Sequence, residues 1–167
     1  MIEPFRHNSW ATVRLLDFCR NVDPALLDAS SPGTYGSVKD TLAHIVGREE
    51  VLIGAVEGAS WQGPPPAYAS LDDLIERARR LSERWERCFE QEPHPDRLVE
   101  AENGGTRLLV RVGTILAHVV HHGNHHRSQV CTVLGTVAIE VPPLDGWAYG
   151  AWLADRGDRQ RRRDDAL

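Results

Sequence analysis

Cysteine is scarce: Cys19, Cys88 and Cys131 stand far apart and form no C-x-x-C pair. That excludes a thiolate zinc cage and fits free thiols in a reducing cytoplasm. Long apolar runs are also missing. None approaches the roughly 20 residues that a bilayer demands, so no membrane span is expected. The opening M-I-E-P-F-R-H-N lacks the basic-then-apolar plan of a signal peptide, and the expected location is the cytoplasm. Positive charge is in short supply: 19 Lys and Arg face 24 Asp and Glu, for a net charge of −5, and Lys39 is the only lysine. Charge repulsion therefore disfavours a nucleic-acid partner. The one basic run, Arg159 to Arg163, is followed by Asp164 and Asp165 and reads as a solvated tail.

What remains is a chain of 167 residues, 41% apolar and 26% charged, sufficient for one globular domain with a real core. Its apolar residues recur mostly at helical spacing. A first helix over 4–20 carries Phe5, Trp10, Val13, Leu15 and Leu16, and Asn21 to Pro24 end it. Residues 26–36 hold S-S-P-G-T-Y-G, which is loop chemistry. A second helix starts at the N-cap Ser37, buries Val38, Leu42, Ile45, Leu52 and Val56, and stops near Glu57 before Gly58. The link W-Q-G-P-P-P-A-Y cannot be helical and is long enough to reach a non-adjacent position.

Ser70 caps a third helix, with Leu71, Leu74, Ala78, Leu81, Trp85 and Phe89 on its apolar face and Pro93 and Pro95 beyond its end. Asn103-Gly104 between short apolar runs signals a small hairpin. A fourth helix spans roughly 112–134, with Gly135 as its stop. Leu144 to Leu153 form a short last helix. The expected fold is all-α, a four-helix bundle over residues 1–155, with a charged tail over 156–167.

Five of the eight histidines crowd into H-V-V-H-H-G-N-H-H-R-S-Q, residues 118–129. On the fourth helix the apolar stripe Ile115, Val119, Val130, Val133 continues through positions 122 and 126. His122 and His126 therefore point into the bundle, one turn apart. Burying two imidazoles without partners costs a few kcal/mol, and a divalent ion removes that cost by accepting both lone pairs. A third ligand must come from elsewhere. His44, at the edge of the second helix's buried stripe, is the best candidate. His7 and His94 are poorer ones, since the first precedes the main apolar run and the second lies between prolines.

Three segments, T-L-A-H-I-V-G-R-E-E around His44, the histidine stretch and L-D-G-W-A-Y near the end, resemble the DinB/YfiT-like metalloenzyme family. In that family the second half of the histidine stretch commonly reads N-H-x-x-H-H-R-G-Q. Here His121 stands in place of the Asn and Ser128 in place of the Gly, and neither is an expected ligand. The resemblance covers most of the chain. It implies a metal triad of His44, His122 and His126, an up-down-down-up bundle and a homodimer. It also implies thiol-dependent transfer or isomerisation on small substrates.

Three neutral imidazoles leave an open coordination position on zinc or nickel, and also on iron or copper. Such a position suits water or a low-molecular-weight thiol, and so transfer or hydrolysis at a small electrophile. The alternative is a non-catalytic stress-response protein whose ion staples helices. No catalytic acid or base is identifiable. Glu49 and Glu50 read as helix-face charges rather than as a ligand or base. Trp10, Trp85, Trp147 and Trp152 read as core, and His118, His121 and His125 as surface groups or neighbours of the ligands. Arg127 and Gln129 read as polar packing or anchors of the bundle.

Overall fold

The computed structural model describes residues 2–59, 68, 70–103 and 105–164. Its elements are α1 (Glu3–Cys19), α2 (Val38–Glu57), α3 (Leu71–Glu90), β1 (Leu98–Asn103), β2 (Thr106–Arg111), α4 (Val112–Thr136) and α5 (Gly146–Asp164). The helix starts follow local chemistry. The Ser37 side chain accepts the Asp40 amide, and the Ser70 side chain accepts the Asp73 amide. Asp145 does the same for α5, taking the amides of Trp147 and Ala148 at 2.9 Å each. At the other end of α2, Gly58 adopts φ +81°, the left-handed position that closes a helix without a Cβ penalty.

Helix α1 packs on α3 and α4, and α2 packs on the same two. The pairs α1–α2 and α3–α4 therefore lie across the bundle from each other. Side-chain pairs fix the directions. Arg6 near the start of α1 meets Glu86 near the end of α3, whereas Asp17 near the end of α1 meets Arg79. These two helices run antiparallel. Glu50–Arg77 and Glu57–Arg84 keep one offset, so α2 and α3 run parallel. Tyr35, just before α2, meets Gln129, and His44 meets His122, so α2 and α4 run antiparallel.

The core is made of the apolar stripes read from the sequence, including Leu15, Leu42, Ile45, Leu74, Trp85, Val119 and Val130, all nearly inaccessible. Strands β1 and β2 form an antiparallel hairpin in which Asn103 pairs with Thr106. Asn103 thus belongs to the strand, where the sequence had suggested that it opens the turn. Val99 buries its side chain and holds the hairpin against α2. The link over 61–67 lies outside the described residues. Among those described, no helix is long and apolar enough to cross a membrane.

Several expectations need correction. Pro24–Asp28 is a 3-10 turn rather than the start of a loop, because Asp23 accepts the Ala25 amide and Pro24 fits the first helical position. Helix α4 passes Gly135 and ends at Thr136, and Ala138, not the glycine, takes positive φ (60°). Helix α5 runs on to Asp164, past Leu153 and into the segment read as a tail. Trp147 is 89% exposed, so it is not core. Trp10 and Trp152 are half-buried, meeting each other and Tyr149 where α5 crosses α1.

Glu49 is the largest correction. It is 5% exposed, and its carboxylate accepts the Trp85 indole N–H at 2.8 Å and the Asn8 amide at 3.2 Å. Burial pushes its pKa up, while these two bonds and the Arg127 charge oppose that rise. Removing one donor leaves a buried carboxylate oxygen unsatisfied. Trp85→Phe should therefore lower the unfolding free energy in urea by about 2 kcal/mol or more. A change within about 0.5 kcal/mol, the range of a neutral surface substitution, would show that the bond carries no stability.

Candidate metal centre

The site lies between α2 and α4. One nitrogen each from His44, His122 and His126 lies within 4.8 Å of the other two. The Nε2 atoms of His44 and His122 are 3.0 Å apart. The ring centroids of the three imidazoles are separated by 4.5 to 4.9 Å. A tetrahedral ion with metal–nitrogen bonds of about 2.0–2.1 Å holds its nitrogens about 3.3 Å apart, so the His44–His122 pair is already within a few tenths of an ångström of that spacing, and the His126 nitrogen lies within 4.8 Å of both. All three residues expected from the sequence thus meet at one point.

The protonation states favour ligation. Burial, followed by the charges of His126 and Arg48, pulls the His44 pKa down to about 4. Burial, followed by the charges of His126 and His44, pulls His122 down to about 3. His126 is also lowered, again mainly by burial. Near neutral pH the imidazoles are uncharged and each keeps a lone pair.

Hydrogen bonds also select the tautomer of His126. The Tyr35 backbone N–H can only donate, and it reaches Gln129 Oε1 at 3.2 Å. That fixes the amide orientation. The same oxygen lies 2.8 Å from His126 Nδ1, so Nδ1 carries the proton and donates. His126 Nε2 is left with the lone pair. The other end of the amide, Nε2 of Gln129, donates to His125 Nε2 at 3.1 Å. Such a partner on the non-ligating nitrogen is what orients a metal-binding histidine.

Tyr35 had no sequence signal beyond its loop. Its ring stacks on His44 with centroids 4.0 Å apart and meets His126 edge-on at 5.4 Å. It is 55% exposed and so forms the solvent-facing wall of the site. Of the remaining histidines, His118 is exposed with its ring centroid 5.3 Å from that of His122, and His125 is exposed beside His126. His121 is also exposed. His7 donates from Nε2 to the Leu144 carbonyl at 2.8 Å, and His94 accepts the Asp96 amide, both away from the triad. Arg127, one residue step around α4 from His126, faces α1 and is 4% exposed.

With the fold and this geometry established, the comparisons with known proteins agree. The model of the DinB family matches residues 1–161. The chain belongs to the DinB family. Protein DinB of Bacillus subtilis (strain 168) is 22% identical over 162 residues, covering 89% of this chain and 91% of that protein. The crystal structure of a DinB-like protein from Bacillus cereus ATCC 10987 is 17% identical. It superposes with a TM-score of 0.63 over 85% of this chain and 93% of the other.

Two lowered histidine pKa values predict a pH dependence. An unfolded histidine binds a proton near pH 6.5, while His44 and His122 in the folded chain resist it down to about 4 and about 3. Between those limits the unfolded state holds more protons, so stability falls as pH drops below about 6.5 and is unaffected above it. Chelator-treated protein should show a constant urea midpoint from pH 7 to 8 and a falling one from pH 6.5 to 4.5. His122→Leu should flatten that fall. A wild-type midpoint that stays level down to pH 5 would contradict the assignment.

Proposed function

We propose that this chain is a metal-dependent enzyme in which His44, His122 and His126 hold a divalent ion, zinc or nickel. It would transfer a low-molecular-weight thiol to a small electrophile, or hydrolyse that electrophile with water. The observation that carries the reading is the convergence of three uncharged imidazoles from two helices on one point. Such an ion, when bound, supplies an open position at which water or a thiol loses its proton near neutral pH. The protein's own part is positional. Gln129 holds His126 with Nε2 forward, burial keeps the rings neutral, and Tyr35 walls the side facing solvent. The reading takes the protein to act in the cytoplasm as a homodimer on a small-molecule partner.

A second reading rests on a specific feature. The hydrogen bonds of the triad run to one another and to the Gln129 amide, and no carboxylate is among their partners in the described residues. With no carboxylate among those partners to act as acid or base, an ion there would serve as a staple between α2 and α4.

The two readings separate in one experiment. Protein stripped with chelator and reloaded with zinc or nickel is assayed against small electrophiles with and without an added thiol. Its thermal unfolding is followed in parallel. The enzyme reading expects turnover that depends on the metal and falls at least 100-fold in His122→Ala, in the range of losing a group essential to the transition state. Metal-dependent melting without turnover on any electrophile would replace it with the staple.

A further inference from the structure

We infer that the buried chain Glu49–Asn8–Arg127, seated against Gly123, is a positioning device that fixes the rotation of α4 and thereby the approach of His122 and His126 to His44. The inference rests on the metal reading above.

Helix α4 carries two neighbouring pairs one turn apart. His122 and His126 face α2, while Gly123 and Arg127 face α1. One residue step is about 100° around a helix, so the two faces are rigidly related. Arg127 Nη1 donates to Asn8 Oδ1 at 2.7 Å and to Thr12 Oγ1 at 2.9 Å, all three residues being buried. A Cβ on residue 123 would come within 2.3 Å of Asn8 Oδ1 and 2.7 Å of Arg127 Nη1. Only glycine leaves room for α4 to close on α1 at this level. The Asn8 amide nitrogen then donates to Glu49 on α2, five residues past His44. The two helices that bear the imidazoles are thus bound to each other from behind, through α1.

The geometry is sensitive to this contact. With side-chain atoms about 5 Å from the helix axis, a rotation of 10° moves them by about 1 Å. Ligand distances tolerate about 0.2 Å. The Arg77–Glu50 ion pair is the natural contrast, for it joins α2 to α3, and among the described residues Arg77 bonds only to Glu50 and Asp73.

Cobalt(II) is the probe. Affinity is read by competition with a chelator, geometry by the visible absorption of the bound ion, and folding by circular dichroism and urea unfolding. Asn8→Ala should weaken cobalt binding about 10- to 100-fold, as loss of groups that support metal ligands does, and shift the absorption band. Thr12→Val should weaken it several-fold, and Thr12→Ser, which keeps the hydroxyl, should restore it. Arg77→Ala should lower the urea midpoint without changing cobalt affinity or spectrum. If Asn8→Ala does not fold, the Thr12 pair decides. The inference is overturned if Thr12→Val binds cobalt like the wild type, or if Arg77→Ala weakens binding as much as the Asn8 and Thr12 variants do. A wild-type protein that binds no cobalt would instead defeat the metal reading itself, before any variant is compared, and this inference with it.

Discussion

Three imidazoles pressed together without charge are the constraint on which the rest depends. Each would be cheaper in water, and protonation of any one is opposed by burial and by its neighbours. An ion that accepted the lone pairs would remove that cost. Much of the bundle is arranged to hold these rings close: the capped start of α2, the antiparallel pairing of α2 with α4, and the amide of Gln129 behind His126.

The polar interior follows a similar logic on the face of α4 toward α1. Glu49 and Arg127 are a buried acid and base that do not touch directly, and Asn8 stands between them as donor to one and acceptor from the other. Burial lowers the Arg127 pKa to about 10, partly offset by the Glu49 charge, so the guanidinium stays ionised at neutral pH. The network links all four bundle helices, since Trp85 of α3 and Thr12 of α1 complete it. Satisfied in this way, a buried polar chain specifies one packing among the many that apolar stripes alone would allow.

How much of this was legible depends on how far the partners lie in sequence. His122 and His126 stand one turn apart inside an apolar stripe, so a local period reveals their direction. His44 stood out because it too sits beside such a stripe. The caps Ser37, Gly58 and Ser70 were readable for the same local reason. Glu49 was not: a charge on a helix reads as solvated until its partners are known, and those are Asn8, 41 residues earlier, and Trp85, 36 residues later. Tyr35 lies in a loop with no period at all. Trp147 misled because a large aromatic in a helix suggests core, whereas the Asp145 cap turns it outward. Gln129 was visible as a polar residue next to the stretch, but its role emerged only from the Tyr35 amide that fixes its orientation.

The most direct measurement is native mass spectrometry of the untagged chain, which counts ions per protomer, on the wild type and on His44→Ala. The account requires one divalent ion per chain in the wild type and none retained by the variant. An ion-free wild type under metal-replete expression, or a His44→Ala protein that keeps its ion through buffer exchange, would contradict it.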